Sequence, residues 1–112
     1  MFNVFKISNR GKLKGYSLSD LFPYEMFWDV EIDNLSLEKD SRFIIQRVLS
    51  RSMNNSEYFE KLEKLYSNKR IKSIAIQSPE IIGNEDIEFI ASRYHLNPER
   101  FKKYIPNIAM YA

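Results

Sequence analysis

The chain has 112 residues, a formal net charge of +2, and 44% hydrophobic, 29% charged and 14% aromatic residues. That size allows one domain with one core, and the bulky apolar content excludes a chain too polar to fold. It has no cysteine, which excludes a disulfide framework and thiolate metal sites; with no signal peptide at its start, the expected compartment is the cytoplasm. No apolar run approaches the roughly 20 residues that a membrane-spanning helix needs, so no membrane role is expected.

In chain order, residues 1–20 form a basic arm, with Lys6, Arg10, Lys12 and Lys14 against Asp20 alone. Apolar and polar residues alternate from Phe2 to Ile7, and Asn9-Arg10-Gly11 is a turn signal. The arm is therefore expected to be a β-hairpin returning through Leu13 to Leu18, or an extended strand. The next stretch reverses the charge, carrying Glu25, Asp29, Glu31, Asp33, Glu38 and Asp40 against Lys39.

Helical periodicity then takes over. Ser36 and Glu38 to Asp40 supply capping groups; Phe43, Ile44, Ile45, Val48 and Leu49 form an apolar face, with Arg42, Gln46, Arg47 and Arg51 opposite. Ser56 is placed to cap a helix carrying Phe59, Leu62, Leu65 and Tyr66, and Asn68 to cap one from Lys69 to Gln77, stopped by Pro79. Ile87, Ile90, Ala91 and Tyr94 line a helix from Glu85 to Tyr94, and Asn97-Pro98 opens a last one ending near Ile105. The expected fold is mainly α: a compact bundle of about five short helices forming one domain over residues 21–112, behind the arm of 1–20.

Two chemical readings of the acids are weighed and set aside. Asp29, Glu31, Asp33, Asn34 and Asp40 match the spacing of a calcium-binding EF-hand loop, but Asn34 stands where that loop needs a turn-making glycine. Alternating carboxylates also hold magnesium in nucleotidyltransferases, but Gly15-Tyr16-Ser17 ahead of a helical chain supplies neither the phosphate loop nor the sheet. His95 is the one histidine and no nucleophile motif accompanies it, so it is expected to cap a helix. No catalytic residue, metal site or cofactor is expected, and the chain is not expected to be an enzyme.

The segment "IASRYHLNPERFKKYI", residues 90–105, has the pattern of a helix-turn-helix, with His95 at the turn position that usually takes glycine. In that arrangement Arg100, Lys102 and Lys103 face outward, as contacts to nucleic-acid phosphates would require.

The stretch "LFPYEMFWDVEIDNLSLEKDSRFIIQRVLSR" resembles the hallmark of a family of small bacterial antitoxin-like proteins, often encoded beside nucleotidyltransferase-type toxins. There a Phe-Trp-Asp motif leads through an acidic segment to the equivalents of Lys39-Asp40, Arg42-Phe43-Ile44-Ile45 and Arg47-Val48-Leu49. The likeness continues in outline through "YFEKLEKLYSNKRIKSIAIQSPEI" to Leu96-Asn97-Pro98. It implies a non-enzymatic protein that binds and neutralises a toxin partner; the helix-turn-helix pattern of residues 90–105 adds DNA as a second expected partner. On that reading Trp28, Asp29, Glu31 and Asp33 face the partner, an aromatic anchor with a carboxylate fringe that meets a basic active site. The alternative is a helix-turn-helix transcriptional regulator that uses Arg100, Lys102 and Lys103.

Overall fold

The computed structural model describes residues 18–106, all of them helix, turn or loop with no strand among them. The arm of residues 1–17, with its expected hairpin, lies outside the described residues; Leu18, where the hairpin would end, begins a helix. That helix, α1 (Leu18–Leu21), is a single turn closed by the Phe22 amide on the Leu18 carbonyl at 3.0 Å. Two 3-10 turns, Tyr24–Phe27 and Ile32–Asn34, carry the lead-in segment to α2 (Ser41–Arg51). The helices α3 (Ser56–Leu65), α4 (Asn68–Gln77) and α5 (Asn84–Tyr94) follow, then a 3-10 turn at Pro98–Arg100.

The described residues therefore form five short helices, although not the five the periodicity marks out. α1 is too short to show any period. Conversely, the segment opened by Asn97-Pro98 is a single 3-10 turn: Phe101 leaves helical backbone (φ −76°, ψ 139°) to bury its ring in the core. The chain beyond it is strapped to the start of α5, where Ile105 exchanges hydrogen bonds with the Asn84 side chain, N–H to Oδ1 at 2.9 Å and Nδ2 to O at 2.7 Å.

The starts of α3 and α4 are fixed by side-chain oxygens one residue ahead of the expected ones. Asn55 Oδ1 accepts from the Glu57 amide at 3.0 Å and caps α3; Ser67 Oγ accepts from the Arg70 amide at 3.2 Å and caps α4. Ser36 and Asp40 instead close the turn in front of α2: the Ser36 amide donates to Asp40 Oδ2 at 2.7 Å, and Ser36 Oγ accepts from the Lys39 amide at 3.1 Å. Tyr66 locks that turn from the end of α3 by donating its hydroxyl to the Leu37 carbonyl at 2.7 Å.

One core gathers these elements. α2 turns Ile44, Ile45, Val48 and Leu49 onto α3 and α4, which answer with Phe59, Leu62, Ile71 and Ile74. α5 adds Ile87, Ile90 and Tyr94, and Phe22, Met26 and Phe27 from the lead-in close the bundle. α3 is tied to α5 through Glu63: the Arg93 guanidinium donates to both carboxylate oxygens, at 2.7 and 3.0 Å, and the Tyr94 hydroxyl donates to one of them at 2.7 Å. α5 ends on His95 in the left-handed region (φ 58°), and the Leu96 amide reaches the Ala91 carbonyl at 2.8 Å, which is the expected capping role of that histidine.

Candidate functional site

The lead-in segment is held on α2 by one arginine. Arg47 follows Ile44 by three positions and so lies at the border of the apolar face, where the expectation from sequence put it on the opposite, solvated side. It is 5% exposed. Burial is supportable because its guanidinium has a partner on each side: it lies 4.7 Å over the Phe43 ring and 6.0 Å from that of Phe27, and it meets Asp29 with both terminal nitrogens. Those bonds are Nη1 to Oδ1 at 2.5 Å and Nη2 to Oδ2 at 3.0 Å, and Nη1 also donates to the Met26 carbonyl at 3.3 Å. The buried Nε is left without a partner.

This clamp sorts the residues singled out in the sequence. Asp29 belongs to the fold, and its hydrogen bond from Arg47 holds its carboxyl below the usual carboxylate range. Asp33 is also engaged, accepting from the Ser19 hydroxyl at 2.9 Å and so tying α1 to the second 3-10 turn. Glu31 is exposed. Trp28 lies between buried Phe27 and clamped Asp29 and is 62% exposed; Tyr24, at the start of the same turn, is 65% exposed. Of the apolar neighbours of Trp28 in the lead-in, Phe27 and Ile32 are buried and Val30 packs against the core.

Beside this segment runs a trough made of two open hollows that share Ser50 and Arg51 at the end of α2. The larger, about 600 Å³, is walled by Pro23, Met26, Met53 and Tyr58; the smaller, about 340 Å³, by Pro79, Glu80 and Ile82. Met53 is 90% exposed and has positive φ (53°), as does Asn54 (φ 60°), whose Nδ2 is pinned to Asp86 Oδ1 at 3.1 Å. Left-handed backbone suits asparagine and strains methionine.

Arg100, Lys102 and Lys103 are exposed, on and just after the last 3-10 turn. The helix that would lie in a DNA groove in the helix-turn-helix reading is reduced here to that single turn. Among the described residues no three histidine, aspartate or glutamate side chains gather as a metal site, and no helix is long and apolar enough to cross a membrane.

The model of a family of unknown function (DUF6922) matches residues 22–75. The similarity takes in the lead-in segment from Phe22, the Asp29–Arg47 clamp, α2, α3 and α4 as far as Ala75, and stops short of α5 and the C-terminal turn. No curated protein and no solved structure matches the chain.

Proposed function

We propose that this chain is a non-enzymatic, antitoxin-like cytoplasmic protein that acts by binding a partner protein, a toxin of nucleotidyltransferase type, through the surface centred on Trp28. What supports the reading is the posture of that residue. A tryptophan is costly to leave in water, yet this one stands 62% exposed between a buried Phe27 and an Asp29 bonded to Arg47, which fix the backbone on both sides of it. A preorganised aromatic loses little conformational entropy on binding and suits the centre of an interface. Glu31 and Glu25 supply the exposed acidic fringe, and Asp29 acts indirectly by holding the turn.

The test uses the product of the neighbouring gene, co-expressed with this chain. Co-purification is expected from the parent and lost in Trp28→Ala at unchanged melting temperature. Because the chain contains one tryptophan, complex formation with a tryptophan-free partner variant should also move the emission to shorter wavelength as the indole leaves water. Retention of the complex in Trp28→Ala would sink the reading.

The alternative, contact with DNA, draws support from the exposure of Arg100, Lys102 and Lys103. It calls for a salt-dependent gel shift on the DNA upstream of the chain's own gene, lost when all three are changed to alanine.

A further inference from the structure

The trough beside Trp28 has a chemistry of its own. Its two hollows meet at Arg51, an exposed residue in the last turn of α2 that makes no ion pair among the described residues. Apolar walls stand on either side of the guanidinium: Met26, Met53 and Tyr58 on one, Pro79 and Ile82 on the other. Each hollow also holds one carboxylate, Glu25 in the first and Glu80 in the second. Arg47, which also borders the second hollow, is taken up by Asp29, so the charged side chains around the trough left without an ion pair among the described residues are Glu25, Arg51 and Glu80, one cation between two hollows that each hold a carboxylate. Tyr24, Trp28, Met53 and Ile82, four of the five large hydrophobic side chains most exposed among the described residues, line this trough or sit in the turn beside it. Met53 is kept outward at a backbone conformation that costs a non-glycine residue on the order of 1 kcal/mol. Strain of this kind persists where the surrounding structure imposes it, and it concentrates at binding sites.

We propose that this trough seats an extended segment of the partner protein. In that segment an aspartate or glutamate meets Arg51, an apolar side chain enters the hollow on each side, and a lysine or arginine at either end faces Glu25 and Glu80. The inference rests on the partner-binding reading above and adds the chemistry of the partner: a segment with an acid at its centre. That differs from a basic pocket closing over this chain's acids. Asp29 is bonded to Arg47, and Arg51 acts on it only through its field, without a direct ion pair, so the side chain left open to a direct contact between the hollows is a cation.

The experiment pans a phage-displayed library of random linear peptides against the full chain and measures the enriched peptides, synthesised with a fluorescent label, by fluorescence polarisation. The expected peptides carry an acid between two apolar residues. Their affinity should fall at least about tenfold in Arg51→Gln, further in Arg51→Glu, and also in Met53→Asp. A peptide with its central acid changed to lysine should recover binding to Arg51→Glu alone. Circular dichroism melts keep the fold in view, since Arg51 and Met53 are exposed and their loss leaves the core untouched.

Enriched peptides without an acid, affinity indifferent to Arg51→Gln, or no enrichment would each overturn the proposal. A concentration-dependent dimer abolished by Arg51→Gln would place a second copy of the chain in the trough and overturn it as well. Peptides that need Trp28 but not Arg51 would defeat this inference and leave the partner-binding reading standing. If the neighbouring gene product fails to co-purify while acid-centred peptides still bind at Arg51, that reading falls and the trough remains.

Discussion

Asp29 and Glu31 are two positions apart, carry the same charge and are both exposed, yet the structure gives them different work. Asp29 is the counter-ion of Arg47, which is buried; removing the carboxylate leaves an uncompensated cation inside the protein. Asp29→Asn is therefore expected to lower the melting temperature and to loosen the Trp28 turn, read as faster decay of tryptophan fluorescence anisotropy. Glu31→Gln is expected to do neither, and equal melting temperatures for the two variants would refute the assignment. The sequence showed that the stretch was special, because a lone tryptophan sits among alternating acids. It did not show which acid is tied down, since the partner lies 18 residues away and looks like one more solvated helix arginine. His95 was more legible: a histidine two residues before Asn97-Pro98 sits where a helix must end. Its left-handed backbone (φ 58°) predicts that His95→Gly gains up to about 1 kcal/mol in urea unfolding, while His95→Val loses stability.

For the helices, the apolar period was the strongest signal: the core faces of α2 to α5 follow it, except that buried Arg47 joins the face of α2 while Phe43 in α2 and Tyr66 at the end of α3 stay half-buried. The starts were displaced by one because Asn55-Ser56 and Ser67-Asn68 each offer two adjacent side chains able to cap, and sequence alone does not choose between them. The hydrogen bonds do. Asn55→Ala and Ser67→Ala should each cost about 1 kcal/mol, whereas Ser56→Ala and Asn68→Ala, which lie within the helices, should stay within about 0.5 kcal/mol of the parent. Chemical denaturation of the four variants decides it, and the opposite ordering would restore the caps at Ser56 and Asn68. The last element was read as a helix for a different reason. Its start signal is real, as Asn97 Oδ1 accepts from the Glu99 amide at 3.0 Å, but a cap and a proline begin a turn without lengthening it. The burial of Phe101 and the bonds between Asn84 and Ile105 then draw the chain across the start of α5. Both are tertiary effects that no local pattern announces.

Across the molecule, two carboxylates fasten separate parts of the bundle: Asp29 holds the lead-in segment to α2, and Glu63 holds α3 to α5. In both, hydrogen bonds from an arginine are the first cause that keeps the carboxyl below its usual value, with the Tyr94 hydroxyl assisting at Glu63. The folded state therefore binds fewer protons at these sites than the unfolded chain, whose carboxyls titrate near about 4. Their contribution is fully present above that value and is lost as pH falls through the lower folded-state values, so stability should drop on the acid side. Glu63→Gln keeps the shape of the side chain but cannot carry the charge. It should cost about 1.5 to 3 kcal/mol at neutral pH, the usual worth of a hydrogen bond to a charged group, and it should flatten the acid limb of a stability curve taken from urea melts between neutrality and strong acid. Adding Asp29→Asn should flatten it further, because the two sites lie on different helix contacts and share no partner. Acid limbs that superimpose for the parent and the double variant would show that other carboxyls carry the pH dependence. A limb flattened by Asp29→Asn alone would mean that the lead-in segment, rather than the α3–α5 contact, is the first part of the fold to give way in acid.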